Sequence, residues 1–200
     1  TSPPAQASIP HIPNATVRRD ELLARLHEAD VCRLILVAAA AGSGKSALLT
    51  HWAAELDQPV AWLSCSEAHA DPSRFWADLS RSVGEAWAPE GILGPEVLTS
   101  STADAPSALC EQLRTVAVPG LIVLDDFHLT AVPPAEMVGF IGGLPPSVRL
   151  VVSTRVDPPF SLSRMRLHGT LLELRQADLA FTPAETTEAL AALDLPVGDD

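Results

Sequence analysis

A glycine-rich stretch near the start of the chain has the residue types and spacing of a phosphate-binding turn. It fits the pattern G-x-x-x-x-G-K-[ST] at Gly44, Lys45 and Ser46, with Ala39 where the first glycine would stand. An apolar run enters the turn and an amphipathic stretch leaves it, as in a strand that leads into a helix. Glycine lets the backbone direct its N–H groups toward phosphate oxygens, and the helix N-terminus adds partial positive charge. We expect phosphate contacts from seven consecutive residues: Ala41, Gly42, Ser43, Gly44, Lys45, Ser46 and Ala47.

Lys45 is the single lysine of the chain, since the other 12 of the 13 basic residues are arginines. A compact ammonium fits where a planar guanidinium does not. We expect Lys45 to reach the β- and γ-phosphates of a nucleotide, and the Ser46 hydroxyl to bind Mg²⁺. Two alternatives stay open: a lysine-poor composition, and a glycine-rich turn that binds nothing.

A second feature is an apolar run that ends in two carboxylates. The residues 121–124 are all aliphatic, and Asp125 and Asp126 follow them. This pattern is typical of a Walker B strand, in which Asp125 would complete the Mg²⁺ shell and Asp126 would orient the attacking water. Aspartate is shorter by one methylene than the glutamate of many rapid ATPases, so we expect a turnover below about 10 s⁻¹. The alternative is a core strand that ends in two solvated acids.

A third apolar run, 150–154, is followed by Arg155. If this strand lies beside the strand that enters the phosphate-binding turn, Arg155 faces the γ-phosphate and distinguishes ATP from ADP. The alternative is a surface arginine paired with Asp157. The predicted catalytic set is therefore Lys45, Asp125, Asp126 and Arg155, with Ser46 and Asp125 as the metal ligands.

The composition limits the classes of protein to which the chain can belong. It has 200 residues, of which 47% are hydrophobic and 19% charged, and this excludes a disordered tail or a coiled coil. The net charge of −12 argues against direct contact with nucleic acid. Three cysteines without metal-type spacing indicate a reduced, cytoplasmic protein. No apolar run is long enough to span a membrane.

Short apolar runs alternate with helix-like stretches, which predicts an α/β fold with a five-stranded, mostly parallel sheet. Together with the phosphate-binding turn, this pattern predicts the three-layer sandwich of a P-loop NTPase. Most of the runs are continuously apolar, as in strands buried on both faces. The predicted strands are 33–38, 60–65, 121–125, 150–154 and 171–174. The predicted helices are 18–29, 45–56, 71–86, 105–116 and 134–141.

The two ends of the chain differ from its middle. The proline-rich residues 1–16 are predicted to form an extended arm before an NTPase domain at 17–180. Thr182, Pro183 and Glu185 form a capping box that begins a further helix, predicted to run to about residue 193. A helix that begins so near the end predicts that 181–200 is the start of a helical domain in a longer polypeptide.

Five segments together form a specific combination of motifs, and through them the chain resembles a known family. The chain resembles the nucleotide-binding domain of the MalT-type, LuxR-family ATP-dependent regulators, a branch of the STAND signalling NTPases. The resemblance covers about residues 12–195. Ala39 agrees with the family, which usually lacks the first glycine, whereas Ala40 replaces a common proline. The matching segments are L-I-L-V-A-A-A-A-G-S-G-K-S-A-L-L-T-H-W at 34–52, V-A-W-L-S-C-S-E-A-H-A-D-P-S-R-F-W at 60–76, V-L-D-D-F-H-L at 123–129, L-V-V-S-T-R-V-D-P-P at 150–159, and 171–190 with A-D-L-A-F-T-P-A-E.

The resemblance implies a molecular switch that rests with ADP, exchanges it for ATP when an inducer binds elsewhere, and then self-associates. It implies that the strand before Arg155 lies between the P-loop strand and the Walker B strand. It also implies that Val17, Arg18 and Arg19 contribute to the adenine pocket. The helix from Pro183 would lead into a small helical domain that closes over the nucleotide, and the sensor and DNA-binding domains would lie outside these 200 residues.

Several other residues could have either a functional or a structural role. His128 follows the acidic pair and either contacts the site or only caps the strand end. Arg164 and Arg166 are candidates for a phosphate or intersubunit contact, and equally for a solvated helix face. Trp62 and its aromatic neighbours at 75 and 76 are better explained by packing.

The sequence therefore predicts an ATP/ADP-binding regulatory domain with slow Mg²⁺-dependent hydrolysis. Its expected partners are the nucleotide, other domains of the same polypeptide and, in the ATP state, further copies of itself. Two alternatives remain: a metabolic P-loop enzyme such as a small-molecule kinase, and a module that holds ADP without hydrolysing it.

Overall fold

The computed structural model of the chain describes residues 9–10, 16–88, 105–116 and 118–192. Within these ranges, seven α-helices surround five strands, with short 3₁₀ turns at Glu67–Ala70 and Phe127–Leu129. The strands are β1 (Leu34–Ala38), β2 (Val60–Ser64), β3 (Gly120–Asp125), β4 (Val148–Thr154) and β5 (Leu171–Arg175). The helices are α1 (Asp20–His27), α2 (Lys45–Ala54), α3 (Pro72–Trp87), α4 (Ala105–Val116), α5 (Pro134–Gly143), α6 (Ser163–Leu167) and α7 (Pro183–Ala192).

The five strands form one sheet in the order β2-β3-β4-β1-β5, and every pair is parallel. The strand before Arg155 thus lies between the P-loop strand and the acidic strand, as the resemblance implied. In register, Ala38 is opposite Thr154, and Leu124 is opposite Val152. Since parallel strands end at a common edge, the turns after β1, β3 and β4 meet there, which is where α/β folds bind ligands.

The sheet is buried on both faces, and each face has its own apolar core. Leu36 of β1 faces a core that includes Phe75 of α3 and Phe140 of α5. Val37, the next residue along β1, faces Leu49 and Trp52 of α2, with side chains of α1 beside them. The alternation follows from the period of two in a strand, and it gives the predicted three layers.

The predicted elements are confirmed, with some differences at their ends. Helix α1 begins at Asp20 rather than at residue 18, because Arg19 has the non-helical backbone of an N-cap (φ −107°, ψ 70°). Helix α2 ends at Ala54, before the predicted residue 56. Helix α6 was not predicted, because five residues give too little periodicity to detect. The predicted arm at 1–16 lies almost wholly outside the described residues, as does the predicted helix end at residue 193.

Gly120 makes one close approach that depends on the absence of a side chain. A Cβ at this position would lie 2.1 Å from Cζ2 of Trp87 and 3.0 Å from the carbonyl oxygen of Pro59. The Trp87 ring is fully buried against the first residue of β3. This contact holds the end of α3 against the sheet.

Two further findings concern the described residues as a whole. Cys32, Cys65 and Cys110 are all free thiols. Burial raises the pKa of the Cys110 thiol to about 11, and it raises the pKa of Cys65 further, so both stay protonated at neutral pH. In the part of the chain that the structure describes, no helix is both long enough and apolar enough to cross a bilayer.

Candidate functional site

The turn after β1 has the backbone of a phosphate-binding loop. Gly42 and Gly44 adopt left-handed conformations, with φ of +77° and +81°. Residues with a side chain avoid this region, which explains why glycine stands at both positions. Apart from the glycine itself and its two chain neighbours, no heavy atom lies within 4 Å of where a Cβ would be at either position, so the loop is open on that side. Gly44 is the N-cap of α2, and the free N–H groups of the first turn of that helix begin there.

Lys45 is folded back over the loop. Its Nζ donates hydrogen bonds to the carbonyl oxygens of Ala39 and Ala40, each at 2.8 Å, and only 6% of the residue is exposed. Burial lowers the pKa of the Lys45 ammonium, and the negative charges of Asp126 and Asp125 counteract that effect. The ammonium is thus held beside the loop and close to both acids.

The two carboxylates after the apolar run differ in their surroundings. Asp125 ends β3 and is 5% exposed, and its Oδ1 accepts a hydrogen bond from the backbone N–H of Asp126 at 3.1 Å. Asp126 has a left-handed backbone with φ +53°, the one non-glycine residue with positive φ in the described part of the chain. This conformation reverses the chain at the strand end, and the Asp126 side chain lines the cleft described below.

Arg155 and His128 both approach the Asp126 carboxylate. The Nε of Arg155 lies 3.9 Å from Oδ1 of Asp126, and the Nδ1 of His128 lies 3.8 Å from the same oxygen. Asp157, the alternative partner for Arg155, instead pairs with Arg175. The structure therefore favours a place for Arg155 at the strand edge over the local surface pair.

A cleft of about 310 Å³ lies over the loop. It brings together six of the seven predicted loop residues with Asp126 and Arg155, although these belong to three separate segments. Ser43 does not line the cleft, and its hydroxyl donates to the carbonyl oxygen of Ala40. The cleft is lined by Ala41, Gly42, Gly44, Lys45, Ser46, Ala47, Asp126 and Arg155.

The predicted adenine contacts lie apart from that lining. Val17 is buried, and Arg18 is exposed and paired with Asp20 and Glu55. Their role in binding adenine stays a prediction. Arg19, beside them, has the most extensive contacts of the three, and it reaches the beginning of α7.

Sequence reasoning missed Gln176, in the turn after β5. Its side-chain oxygen accepts a hydrogen bond of 2.8 Å from the backbone N–H of Ala40, inside the phosphate loop. A lone glutamine after a strand gives no signal in a sequence, because its partner lies 136 residues away.

The remaining candidate residues have structural contacts. Arg166 donates two hydrogen bonds to Glu173, and Arg164 lines a separate cleft beside Met165 and His168. Trp62 is fully buried in the core, as are the aromatic residues at 75 and 76. These observations favour a structural role for Arg166 and for the three aromatic side chains, whereas both alternatives stay open for the exposed Arg164.

The donor set at the cleft suits a nucleotide with Mg²⁺. The open loop offers backbone N–H groups and the Lys45 ammonium, and phosphate oxygens accept hydrogen bonds from both kinds of donor. Mg²⁺ binds through one or two protein oxygens together with phosphate oxygens and water. Ser46 lines the cleft, whereas Asp125 is 5% exposed and does not line it, so their joint role as metal ligands stays a prediction. Among the described residues, no group of three or more His, Cys, Asp or Glu side chains forms a metal site of another kind.

The chain is similar to parts of longer curated proteins. It is 30% identical over 191 residues to the HTH-type transcriptional regulator MalT of Cronobacter sakazakii, and to that of Klebsiella pneumoniae, with 92% of this chain covered. It spans only 21% of the length of those relatives. No protein-family model matches it.

Solved structures show the same fold. A STAND protein with a tetratricopeptide repeat sensor from Pyrococcus horikoshii superposes with a TM-score of 0.66 and 13% identity, over 96% of this chain and 28% of the other. A Walker-type ATPase of Pyrococcus abyssi superposes with a TM-score of 0.57 and 14% identity, over 92% of this chain and 60% of the other. Cdc6p from Pyrobaculum aerophilum superposes with a TM-score of 0.58 and 14% identity, over 92% of this chain and 51% of the other.

The parallel sheet and the loop at its carboxyl edge define a P-loop NTPase domain. Nine-tenths of the chain is similar in sequence to part of the MalT regulators. Its fold is similar to that of a STAND protein.

Proposed function

We propose that the chain is an ATP/ADP-binding switch domain of a larger, signal-responsive transcriptional regulator, with slow Mg²⁺-dependent hydrolysis of ATP. The observation that carries the proposal is the meeting of an open glycine loop, Lys45, Asp126 and Arg155 in one cleft. The relatives named above, which are transcriptional regulators more than four times as long as this chain, support the regulatory context. The domains that sense a signal and read DNA would belong to the rest of such a protein.

Each side chain has a role that follows from its position. The Lys45 ammonium and the N–H groups at the start of α2 would bind the β- and γ-phosphates. Ser46 and Asp125 would hold Mg²⁺, which neutralises phosphate charge when bound. Asp126 would accept a hydrogen bond from the attacking water and orient it, and Arg155 would donate to the γ-phosphate.

The open cleft supports a slow rate. Arg155 and Asp126 have side-chain exposures of 49% and 37%, so water surrounds both groups and weakens their electrostatic effect. A domain that closes over the site would exclude that water. We therefore expect this chain alone to turn over at less than about 10 s⁻¹, the median for enzymes.

The test begins with the purified chain, which is denatured so that any released nucleotide can be identified by chromatography. Stoichiometric ADP would support a resting switch. If none is released, calorimetric titration with Mg-ATP and Mg-ADP, with EDTA as the metal-free control, measures binding directly. Saturable binding of both nucleotides with slow phosphate release is the expected result, and the absence of binding to either would refute the proposal.

The same preparation distinguishes the two alternatives. A small-molecule kinase would transfer ³²P from ATP to a compound in a metabolite pool, whereas the proposed switch releases inorganic phosphate only. A module that merely holds ADP would release no phosphate in a single-turnover experiment. Either result would replace the switch with that alternative.

A further inference from the structure

The phosphate loop is tied to the segment that joins β5 to α7. We call this segment, residues 176–182, the connector. Gln176, its first residue, accepts the hydrogen bond from the N–H of Ala40. The carbonyl oxygen of Ala40 in turn accepts from Lys45 and Ser43. Ala40 is thus fixed by the loop on one side and by the connector on the other.

Arg19 holds the far end of the connector. The residue is 6% exposed, and its guanidinium donates to the carbonyl oxygens of Leu179 (3.1 Å) and Ala180 (3.0 Å). It also lies 4.8 Å from the centre of the Phe181 ring. A buried guanidinium needs a counter-charge, and the Nε of Arg19 donates to Oε1 of Glu185 at 2.8 Å.

Glu185 has two functions at once. Its Oε2 accepts from the backbone N–H of Thr182, and its own N–H donates to the Thr182 hydroxyl, which completes the predicted capping box of α7. Its other oxygen is the one that pairs with Arg19. The first turn of α7 is therefore joined to the residue that precedes α1.

Asp178 fixes the middle of the connector. One of its oxygens accepts from Arg25 of α1 at 2.6 Å, and the other accepts from the N–H of Arg175 at 2.7 Å. Both contacts hold the pKa of Asp178 below its ordinary value against the opposing effect of burial, so the carboxylate is charged at neutral pH. The connector is thus anchored to α1 at Asp178 and to the segment before α1 at Arg19.

We propose that Gln176 is a positioning residue of the phosphate loop, and that Arg19 couples that loop to α7 by holding the connector in place. Packing of α7 against Arg19 and binding of the nucleotide then stabilise each other. This inference rests on the proposed function. Coupling of this kind is reciprocal. If the bound nucleotide stabilises the packed position of α7 by a given factor, loss of that packing lowers nucleotide affinity by the same factor.

The first experiment removes the acceptor at Gln176. Gln176→Met keeps the length of the side chain but replaces the amide oxygen with a thioether, which is only a weak acceptor for the N–H of Ala40. Gln112→Met on α4 is the matched control. We expect the Ala40 amide to exchange with solvent faster in Gln176→Met, and Mg-ADP affinity to fall about two- to tenfold. Gln176→Glu, which keeps an acceptor oxygen, should restore slow exchange of that amide.

The second experiment breaks the ion pair at the other end. Glu185→Gln leaves the capping box intact, because glutamine serves at that position as well, but it removes the counter-charge of Arg19. Glu188→Gln, one turn further along α7 and exposed, is its control. We expect amide exchange in 183–192 to be at least about fivefold faster in Glu185→Gln, and Mg-ADP affinity to fall by a similar factor.

The results separate this inference from the function on which it rests. If the unmodified chain binds nucleotide while Gln176→Met and Glu185→Gln bind it as tightly as their controls, the coupling is wrong and the proposed function stands. If nucleotide binding leaves amide exchange of 183–192 unchanged, the coupling is also wrong. If the unmodified chain binds no nucleotide, both proposals fail together.

Discussion

The Oδ1 of Asp126 lies 3.9 Å from the Nε of Arg155, so the residues that follow β3 and β4 face each other at the carboxyl edge of the sheet. In the proposed function, one of them orients the attacking water and the other donates to the γ-phosphate.

Removal of the Lys45 ammonium should weaken nucleotide binding without unfolding the chain. A hydrogen bond to a charged group contributes about 1.5–3 kcal/mol, so Lys45→Ala should lower Mg-ADP affinity about 10- to 100-fold in calorimetric titration. Arg114→Ala, which removes an exposed cation on α4, is the control and should leave affinity unchanged. Equal affinity in both variants would contradict the assignment of the phosphate loop.

Asp126 should be tested with asparagine rather than alanine. Its φ of +53° suits Asn, Asp and Gly, whereas alanine there costs roughly 1–2 kcal/mol in backbone strain. We expect Asp126→Asn to keep its stability in urea unfolding and to reduce phosphate release at least tenfold under saturating Mg-ATP. Asp126→Ala should lose activity and also unfold at lower urea concentration. Unchanged phosphate release in Asp126→Asn would refute the catalytic role.

Arg155→Gln should reduce the preference for ATP over ADP. The guanidinium is proposed to contact only the γ-phosphate, so its removal should lower ATP affinity about 10-fold and leave ADP affinity nearly unchanged. Competition titration of the two nucleotides against a fluorescent analogue measures the ratio. Arg164→Gln on α6, outside the cleft, serves as the control. A parallel loss of affinity for both nucleotides would mean that Arg155 supports the loop and does not sense the γ-phosphate.

Gly120 and Gly139 should respond to alanine in opposite directions. At Gly120 a Cβ would overlap the Trp87 ring and approach the Pro59 carbonyl, so Gly120→Ala should destabilise the chain by about 1–3 kcal/mol. Gly139 lies in α5, and a Cβ there would have no heavy atom within 4 Å, so Gly139→Ala should stabilise by about 0.4–1 kcal/mol. Urea unfolding of both variants measures the difference, and similar values for the two would contradict the close packing at Gly120.

The stability that Glu173 contributes should disappear in acid. Hydrogen bonds from Arg166, and then from Arg175, lower the pKa of Glu173 from 4.5 to about 2 in the folded chain. A lowered pKa stabilises the fold at any pH above the unfolded value of 4.5, and this contribution is lost as the pH falls from 4.5 toward 2. The difference in unfolding free energy between the unmodified chain and Glu173→Gln should therefore shrink over that range. A difference in unfolding free energy that stays constant over this pH range would contradict the ion pairs of Glu173 with Arg166 and Arg175.

Much of the fold and of the site could be predicted from the sequence, because the informative residues are close together in the chain. The loop, the acidic pair and Arg155 each follow a recognisable apolar run. Parallel strands place such turns at one edge whatever the order of the strands.

Contacts between distant segments could not be predicted. Arg19 and Glu185 are 166 residues apart, and either alone resembles an ordinary surface charge. Asp157 lies beside Arg155 in the sequence yet pairs with Arg175, 18 residues further on. A single sequence shows which residues are neighbours along the chain. The connector could not be predicted in this way, because tertiary contacts hold almost all of it in place.

Because the chain has a single lysine, a reagent that modifies lysine side chains would label the cleft at one known residue. An amine-selective acylating reagent has one side chain to modify here, and that side chain lies at the base of the loop. Burial lowers the pKa of Lys45 and also slows the access of a reagent to its amine. The amount of label at residue 45, measured by peptide mass spectrometry, would therefore report how much of the cleft is occupied by nucleotide. The measurement needs neither a fluorescent nucleotide nor an engineered tag.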